Sequence, residues 1–588
     1  MAPPRQKLWS LGAFRQRIAS ADALPQMAFL GTIAGILTGV VILLFRALVH
    51  LPLEFLLPGN RSENFEALAP WMHFALPTAG AIGLGYAVSR IRPADRAVGV
   101  VHVMERLRRH QGHLPWRNAG VQFSLGSIAL LTGQSGGREG PAIHLGAATS
   151  SILGQLFALP NNSIRTLVGC GTAAAIAGSF NTPLAGIIFA MEVVLLEYSI
   201  ASFIPVILAA VCATLLGQAA FGDHTAFDVP DNIRLHGFAE IPFMIVEGFV
   251  IGLVAGSFIW CCRRISSIQT GSIWLRFSLA GAFTGLVALA IPEVLGVGYD
   301  TVELALDGKL AVGTLLAVAI AKAATSSITC GLRIPVGLIG PSLVIGATAG
   351  GALGALFNGL FPAYAADPAM HVMLGMAAMM GATLHAPLAA LLTVVELTGS
   401  ANATLPAMLT IIVATITART LFKQNGIFVE LLSAQGLNLE RQLPFPHLDR
   451  IGVTSVMERN IVCLKTPLTV AEATLALKDG PVWIVVEGAH GPFFLLNPAD
   501  LERHLMALHH PHILSSNRLA KIDLEEIPAL RLDVTSIDLQ ATLHEAWMHL
   551  EKTKAEALCV RRVIAPMVAP TMGVLTKDVC DRITRAGT

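Results

Sequence analysis

Long apolar runs recur along the chain up to about residue 435. The first covers residues 27–45 and the last covers 407–418, and many of the runs are long enough to span a bilayer as helices. Others are shorter and are interrupted by glycine and proline, which is typical of helices that end inside a membrane. The pattern predicts an all-α protein that crosses the membrane many times.

The composition agrees with this prediction. Of the 588 residues, 54% are hydrophobic and 13% are charged, and the mean hydropathy is +0.64, unlike a soluble globular protein. A net charge of +1 gives no basis for a nucleic-acid partner. The eight cysteines lack the spacing of a zinc site, so they are predicted to be free thiols and no metal site is expected.

The polar loops alternate in charge. Residues 53–70 and 221–240 lean acidic, whereas 90–110 and 263–264 are basic. Because positively charged loops stay on the cytoplasmic side, both termini are predicted to be cytoplasmic, in a plasma membrane or a bacterial inner membrane. Residues 1–24 are basic and amphipathic, without the short apolar core of a cleavable signal peptide, and are predicted to form a surface segment.

The predicted membrane region, residues 25–435, contains an internal repeat. Residues 171–192 align without gaps on 375–396, and 140–147 align on 340–347, with offsets of 204 and 200 residues. The alignment predicts two inverted repeats, at about 27–220 and 240–435. Broken helices at matching places in two repeats point to a site near the middle of the membrane.

The most informative stretch is 133–146, where five glycines and Pro141 surround Arg138 and Glu139. Glycine allows a close backbone approach and proline favours the first turn of a helix, so the stretch predicts a loop that leads into a helix N-terminus, which attracts anions. A carboxylate there competes with a diffusible anion, as a gate does. The spacing fits neither nucleotide-binding glycine motif, and a purely structural Arg138–Glu139 ion pair is the alternative.

After residue 434 the composition becomes mixed. A linker at 436–452 is followed by residues 453–588, in which 453–512 and 529–583 have the same order of short strands and amphipathic helices. This pattern predicts a cytoplasmic α+β domain made of two similar units.

These motifs resemble those of the CLC family of chloride channels and chloride/proton antiporters, and the tail resembles the paired CBS domains of many members. The resemblance rests on four segments: residues 137–141, 337–341, 183–192 and 387–396. It implies a homodimer with one anion pathway per subunit and Glu139 as the gate. It also implies an anion site formed by Arg138, Glu139 and Gly140 together with the backbone of Leu338 and Ile339.

Three positions depart from the family pattern. Val98 replaces an anion-binding serine, Phe428 replaces a pore tyrosine, and Val193 replaces the inner proton-transfer glutamate of the antiporters. Each missing hydroxyl hydrogen bond weakens anion binding by about 1–3 kcal/mol if nothing replaces it. The sequence therefore favours transport of chloride or another small monovalent anion that is channel-like or weakly proton-coupled, with a fully coupled antiporter as the alternative.

Other residues leave alternatives open. Glu192, echoed by Glu396, is predicted to be structural, and His144 is predicted to pack or to form a hydrogen bond rather than to carry protons. Arg333 either adds positive field for anions or closes an ion pair. Asp500 keeps the spacing of a ribose contact, so the tail either binds an adenine nucleotide or is structural, and no other cofactor is expected.

Proteins of other classes are the remaining alternatives. A membrane-embedded enzyme needs clustered catalytic side chains, whereas the spans hold scattered residues such as His144 and His385, so no enzymatic activity is expected. A cation-coupled solute carrier uses helix C-termini at its site, whereas the glycine and proline positions here mark helix N-termini.

Overall fold

The structure is a computed structural model, and the residues that it describes fall into two units. The described residues are 24–60, 63–198, 200–222, 227, 240–268, 271–364, 366–399, 401–437, 448, 451–488, 491–508, 521–561 and 571–586. The membrane unit comprises mainly Ala28–Leu156 and Ile164–Arg441, and the C-terminal unit is built mainly from residues after Arg441. The predicted surface segment 1–24 lies, apart from Leu24, outside the described residues.

The described residues of the membrane unit are entirely helical in their regular structure. Its helices are α1 (Leu24–Leu56), α2 (Pro70–Arg90), α3 (Gly99–Arg109), α4 (Trp116–Leu131), α5 (Glu139–Leu156), α6 (Asn161–Phe180), α7 (Pro183–Phe189), α8 (Ile200–Phe221), α9 (Ile241–Ser266), α10 (Ile273–Ala288), α11 (Tyr299–Leu306), α12 (Val312–Gly331), α13 (Ile339–Leu360), α14 (Pro368–Leu384), α15 (Pro387–Thr398), α16 (Thr404–Phe422) and α17 (Ile427–Ala434). A π-helical turn, Ala190–Leu195, extends α7.

Several of these helices have the dimensions of membrane spans. Six described segments are long and apolar enough to cross a bilayer: Leu24–Leu56, Ser202–Phe221, Ile241–Ser266, Val312–Gly331, Ile339–Leu360 and Thr404–Ala434. Shorter apolar helices, such as α7 and α15, lie between them. The prediction of a polytopic helical protein with broken helices is confirmed.

The sequence repeat is also a structural repeat. A Cβ on Gly146 would collide with the carbonyl oxygen of Gly171, so α5 and α6 approach each other closely at these glycines. In the second half Gly346 and Gly375 bring α13 and α14 together in the same way. Glycine is required at these crossings because any side chain would force the helices apart.

Glu192 and Glu396 have matching structural roles in the two halves. The Oε2 atom of Glu192 accepts a hydrogen bond of 2.8 Å from the backbone N–H of Ala389, which lies in the first turn of α15. The Glu396 carboxylate accepts from the N–H groups of Leu184 and Ala185, at 2.9 and 2.7 Å, in the first turn of α7. Glu192 in the first half therefore caps α15 in the second half, and Glu396 in the second half caps α7 in the first. A negative charge is favourable at such a helix N-terminus.

The C-terminal unit is an α+β fold. Its strands are β1 (Ile461–Lys465), β2 (Leu468–Thr469), β3 (Trp483–Gly488), β4 (Gly491–Leu496), β5 (Lys521–Ile522), β6 (Arg531–Asp538), β7 (Ala557–Arg561) and β8 (Thr571–Thr576), and its helices are α18 (Val453–Val456), α19 (Val470–Leu477), α20 (Pro498–Leu508), α21 (Leu543–Thr553) and α22 (Lys577–Ala586). Six strands form one sheet in the order β1-β3-β4-β6-β7-β8, and β2 pairs with β5.

The sheet repeats the same unit twice. In each half the first strand pairs in parallel with the second, which pairs antiparallel with the third: β1-β3-β4 and then β6-β7-β8. The helices α19 and α21 each begin with a capping box, formed by Thr469 with Glu472 and by Thr542 with Glu545. The predicted α+β domain is confirmed, whereas its assignment as a CBS pair stays a prediction.

Candidate anion site and its gate

The two glycine-rich loops, one from each half, form backbone hydrogen bonds with each other. The N–H of Gly137 donates to the carbonyl of Gly337 at 2.8 Å, and the N–H of Gly337 donates to the carbonyl of Gly137 at 2.6 Å. A Cβ on Gly137 would collide with the Glu139 carboxylate, and one on Gly337 would lie 2.5 Å from the backbone nitrogen of Gly140. Because α5 and α13 begin directly after these loops, the pairing brings both helix N-termini to one place.

The Glu139 carboxylate lies at this place. Its side chain is buried, with 1% of its surface exposed. Oε2 accepts a hydrogen bond from the backbone N–H of Gly340 at 3.1 Å, and Oε1 accepts one from the Tyr299 hydroxyl at 2.7 Å. The carboxylate from the first half therefore occupies the positive N-terminus of the helix in the second half, where the backbone favours an anion.

Tyr299 is a site residue that sequence reasoning missed. Its backbone N–H donates to Oε2 of Glu63 at 2.9 Å. Its ring meets the rings of Phe227 and Phe180 edge-on, with centroids 5.4 and 6.3 Å apart. These contacts fix the direction of the hydroxyl toward Glu139. Tyr299 lies 160 residues from Glu139 and in no repeated motif, so the sequence carries no signal for the pair.

The guanidinium group of Arg138 contacts side chains other than that of Glu139. Its Nη1 donates to Nε2 of His50 at 2.6 Å. Its guanidinium carbon lies 5.0 Å from the ring centroid of Phe180 and 5.6 Å from that of Tyr299. In the described part of the chain, these contacts replace the Arg138–Glu139 ion pair that the sequence left open. Arg138 thus packs behind the site and supplies positive charge near it.

A small cavity borders the carboxylate. It has a volume of about 20 Å³ and is lined by Glu139, Tyr299, Ile339 and Thr182, among other residues. The Oγ1 of Thr182 is buried and has no hydrogen-bond partner among the described residues. A cavity of this size holds about one water molecule. The cavity therefore offers a second hydroxyl beside Glu139, in addition to that of Tyr299.

On the other side of the glycine loops lies a larger cavity, here called the vestibule. It has a volume of about 330 Å³, and Val98, Gly140, Leu338 and Phe428 are among the residues that line it. The three arginines that line it are Arg96, Arg276 and Arg333. The structure thus brings together most of the positions that the resemblance selects. The arginines make the cavity electropositive, and Arg333 is exposed there.

The other predicted positions lie close by. Leu338 and Ile339 are the N-cap and the first residue of α13, and both are buried. Val193 is buried in the π-helical turn Ala190–Leu195 and has no titratable group. At Val98 and Phe428 the lining is apolar, so the hydroxyls found near the gate come from elsewhere in the chain.

Two charged features beyond the gate were also missed. Lys322 is fully buried in α12, and its Nζ donates to the carbonyls of Val294 and Gly296 at 3.0 and 2.9 Å, which fixes the loop before Tyr299. In the loop between α1 and α2, burial and the nearby Asp300 carboxylate raise the pKa of Glu66 to about 8. Glu66 therefore holds a proton more readily than an exposed carboxylate does.

Asp500 lies in the first turn of α20. Its Oδ1 is 3.2 Å from Nη1 of Arg503, one turn later in the helix. The side chain of Asn497 accepts the N–H of Ala499 at 3.0 Å and so caps the same helix. A ribose would have to compete with Arg503 for the Asp500 carboxylate.

Known proteins resemble this chain in sequence and in fold. The family model for voltage gated chloride channels matches residues 79–419. The H(+)/Cl(-) exchange transporter ClcA of Vibrio cholerae serotype O1 is 30% identical over 430 residues, which cover 70% of this chain and 90% of that protein. These matches cover the helices that form the site.

Two solved structures share the fold. A slow cyanobacterial Cl-/H+ antiporter aligns with a TM-score of 0.62 at 24% identity, over 71% of this chain and 99% of its own. A eukaryotic CLC transporter aligns with a TM-score of 0.58 at 16% identity, over 94% of this chain and 97% of its own. With the family model matching more than half of the residues, the chain belongs to the CLC family of voltage-gated chloride channels and transporters.

Proposed function

We propose that this protein moves chloride, or another small inorganic monovalent anion, across the membrane through a pathway gated by Glu139. Members of the CLC family are channels or transporters rather than enzymes, and anion transport is the activity of the family. The observation that carries the proposal is the buried Glu139 carboxylate on the N–H of Gly340 at 3.1 Å. A negatively charged oxygen already lies where backbone donors and a helix dipole attract an anion.

The gate works by competition for these donors. While Glu139 is ionised, its carboxylate accepts from Gly340 and Tyr299 and excludes a free anion. Once protonated, the side chain loses its charge-assisted hydrogen bonds and leaves the position. An anion arriving from the electropositive vestibule can then accept from the same N–H and hydroxyl. Tyr299 in this way supplies a hydroxyl donor that Phe428 lacks.

We favour proton-coupled exchange over channel-like conduction. The same donors serve either an ionised carboxylate or an anion, so anion entry is linked to the protonation of Glu139. The relative from Vibrio cholerae is named an H(+)/Cl(-) exchange transporter, and a solved relative is described as a Cl-/H+ antiporter. Channel-like or weakly coupled conduction is the second candidate, and Val193 is the observation that favours it.

The oligomeric state is proposed from the family, and the orientation in the membrane is proposed from the charges of the loops. We infer a homodimer in the lipid bilayer with one pathway per subunit, both termini on the cytoplasmic side, and the arginine-lined vestibule open to the cytoplasm. The basic loops at 90–110 and 263–264 support this orientation.

Anion efflux from liposomes tests the proposed activity. Purified protein in chloride-loaded vesicles should release chloride once a potassium ionophore removes the opposing voltage, and release should change when a proton gradient is imposed. Vesicles loaded with a neutral solute serve as the control. Failure to release chloride or any other small monovalent anion would contradict the proposal, and cation-driven uptake of an organic solute would favour the carrier alternative.

Tyr299→Phe should weaken anion binding. A hydrogen bond to a charged group contributes about 1.5–3 kcal/mol, so its loss should raise the dissociation constant roughly 10- to 100-fold. The Glu139→Gln background is required because there the carboxylate no longer competes. Calorimetric titration with chloride in detergent measures the change.

Tyr86→Phe is the matched control for that titration. Tyr86 is 55% exposed, so removing its hydroxyl should leave chloride affinity unchanged. Equal affinity in the Tyr299→Phe and Tyr86→Phe proteins would show that the Tyr299 hydroxyl does not contact the anion.

We also propose that the C-terminal unit binds an adenine nucleotide, with Asp500 as the acceptor for the ribose hydroxyls. The full chain in detergent should bind radiolabelled ATP or AMP at millimolar concentration or below, and Asp500→Asn should weaken binding about tenfold because a charged acceptor is lost. Asp479→Asn, at an exposed position, is the control. Undetectable binding at millimolar nucleotide would leave the unit a purely structural one.

A further inference from the structure

Two buried histidines meet where a helix that lines the vestibule packs against the helix that begins with Glu139. His102, on α3, and His144, on α5, are 5% and 0% exposed. Nδ1 of His102 lies 2.9 Å from Nε2 of His144, and the ring centroids are 5.2 Å apart. This is a direct hydrogen bond between two imidazoles. The sequence predicted packing or a hydrogen bond for His144 and gave no sign of the partner.

The two ends of the pair face different surroundings. His102 lines the vestibule together with Val98 and Phe428. The other ring nitrogen of His144, Nδ1, is buried and has no hydrogen-bond partner among the described residues. An unpaired buried polar atom costs about 1–3 kcal/mol, so its presence calls for an explanation. Two hydrogen-bonded imidazoles, with water at one end and a ring nitrogen without a hydrogen-bond partner at the other, can pass a proton from one end to the other.

We propose that the His102–His144 pair is the inner proton relay of this protein, in place of the carboxylate that Val193 lacks. This inference rests on the proposed proton-coupled exchange. Imidazole suits the task because each ring can accept a proton on one nitrogen and release one from the other near neutral pH. The pair would connect water in the vestibule with the region of Glu139.

The transfer conserves protons. Nε2 of His102 accepts a proton from a hydronium ion in the vestibule, which leaves a water molecule, and His102 passes its Nδ1 proton to Nε2 of His144. His144 then releases its Nδ1 proton toward Glu139. Both rings finish neutral with their protons on the opposite nitrogens, and a tautomer shift restores the starting state. Passage in the other direction reverses each step.

A gap remains between the pair and Glu139. Glu139 and His144 are five residues apart on α5, a rise of about 7.5 Å along the axis and a rotation of about 140° around it. The vestibule extends to Gly140, the neighbour of Glu139. One or two water molecules, or movement of the Glu139 side chain, can bridge this distance.

Charged and titratable groups lie near the pair. Arg106, on the same helix as His102, and His110, the residue after that helix, act on His102, and His102 acts on His144. Glu105 lines the same vestibule.

Proton movement driven by a chloride gradient tests the relay. In vesicles that contain the full chain, wild-type protein should move protons, and His102→Gln with His144→Gln should reduce that movement by a factor on the order of 100. Chloride flux should persist, because the proposed anion donors, the N–H of Gly340 and the Tyr299 hydroxyl, are unchanged in this variant. Glutamine keeps a hydrogen bond between the two positions and cannot relay a proton. His73→Gln is the control, since His73 is also buried and its hydrogen bond is to the backbone carbonyl of Phe65.

The outcomes separate the relay from the exchange on which it rests. Undiminished proton movement in the double variant overturns the relay and leaves exchange intact. Wild-type protein that moves chloride without protons overturns the exchange and the relay together. If the double variant loses chloride flux as well, the single variant His102→Gln gives the decision: chloride flux with little proton movement supports the relay, and full proton movement overturns it.

Discussion

Glu139→Gln should leave a protein that still transports anions and no longer responds to external pH. Glutamine has nearly the same shape but no charge, so it competes only weakly with an anion for the N–H of Gly340 and cannot gain a negative charge as pH rises. Proton movement coupled to anion flux should fall by two or more orders of magnitude, because the group that exchanges the proton is gone. Chloride and proton fluxes from liposomes at several external pH values measure both effects.

Asp307→Asn provides a matched control for this experiment. Asp307 is an exposed carboxylate that pairs with Lys309 at 2.7 Å, outside the pathway. Its removal should preserve both the pH response and the proton coupling. Loss of anion flux in folded Glu139→Gln protein would show that Glu139 is required for anion passage, and the gate assignment would then be wrong.

Gly337→Ala should prevent correct folding of the site. The added Cβ would lie 2.5 Å from the backbone nitrogen of Gly140 and 3.0 Å from the carbonyl oxygen of Gly137, and neither backbone atom can move without separating the two loops. Such overpacking costs about 3 kcal/mol or more when backbone must shift. We expect a lower thermal midpoint, a small yield of folded protein and little anion flux.

Gly120→Ala is the comparison that isolates this effect. Gly120 lies inside α4, and a Cβ there would meet no atom within 4 Å. In a helix interior the change from glycine to alanine stabilises by about 0.5–1 kcal/mol, so this variant should be at least as stable as the wild type. Equal stability and flux in the two alanine variants would contradict the close pairing of the loops.

The sequence was a good guide where a signal is local or repeated. The apolar runs predicted the spans, and the gapless repeat predicted that the segments beginning at Glu139 and Ile339 would be equivalent. The Gly-Arg-Glu-Gly-Pro motif marked Glu139 as the candidate gate because glycine, proline and a carboxylate occur within a few residues of one helix N-terminus. The two similar units of the tail followed from their order of strands and helices.

The sequence was a poor guide where chemistry depends on residues far apart in the chain. Tyr299 reaches Glu139 across 160 residues, and His102 reaches His144 across 42. Neither pair has a fixed spacing or a repeated partner, so only the packing of the helices reveals it. The missing hydroxyls at Val98 and Phe428 were visible in the sequence, whereas the hydroxyls of Tyr299 and Thr182 beside the gate were not.

Anomalous diffraction from bromide tests most directly whether Glu139 and the transported anion share one position. Crystals of the wild-type protein and of Glu139→Gln, soaked in the same bromide concentration, would be compared at the N–H of Gly340. We predict a bromide peak at hydrogen-bond distance from that nitrogen in Glu139→Gln and none there in the wild type, where the carboxylate occupies the position. Bromide bound there equally in both proteins, or in neither, would contradict the competition on which the proposed mechanism depends.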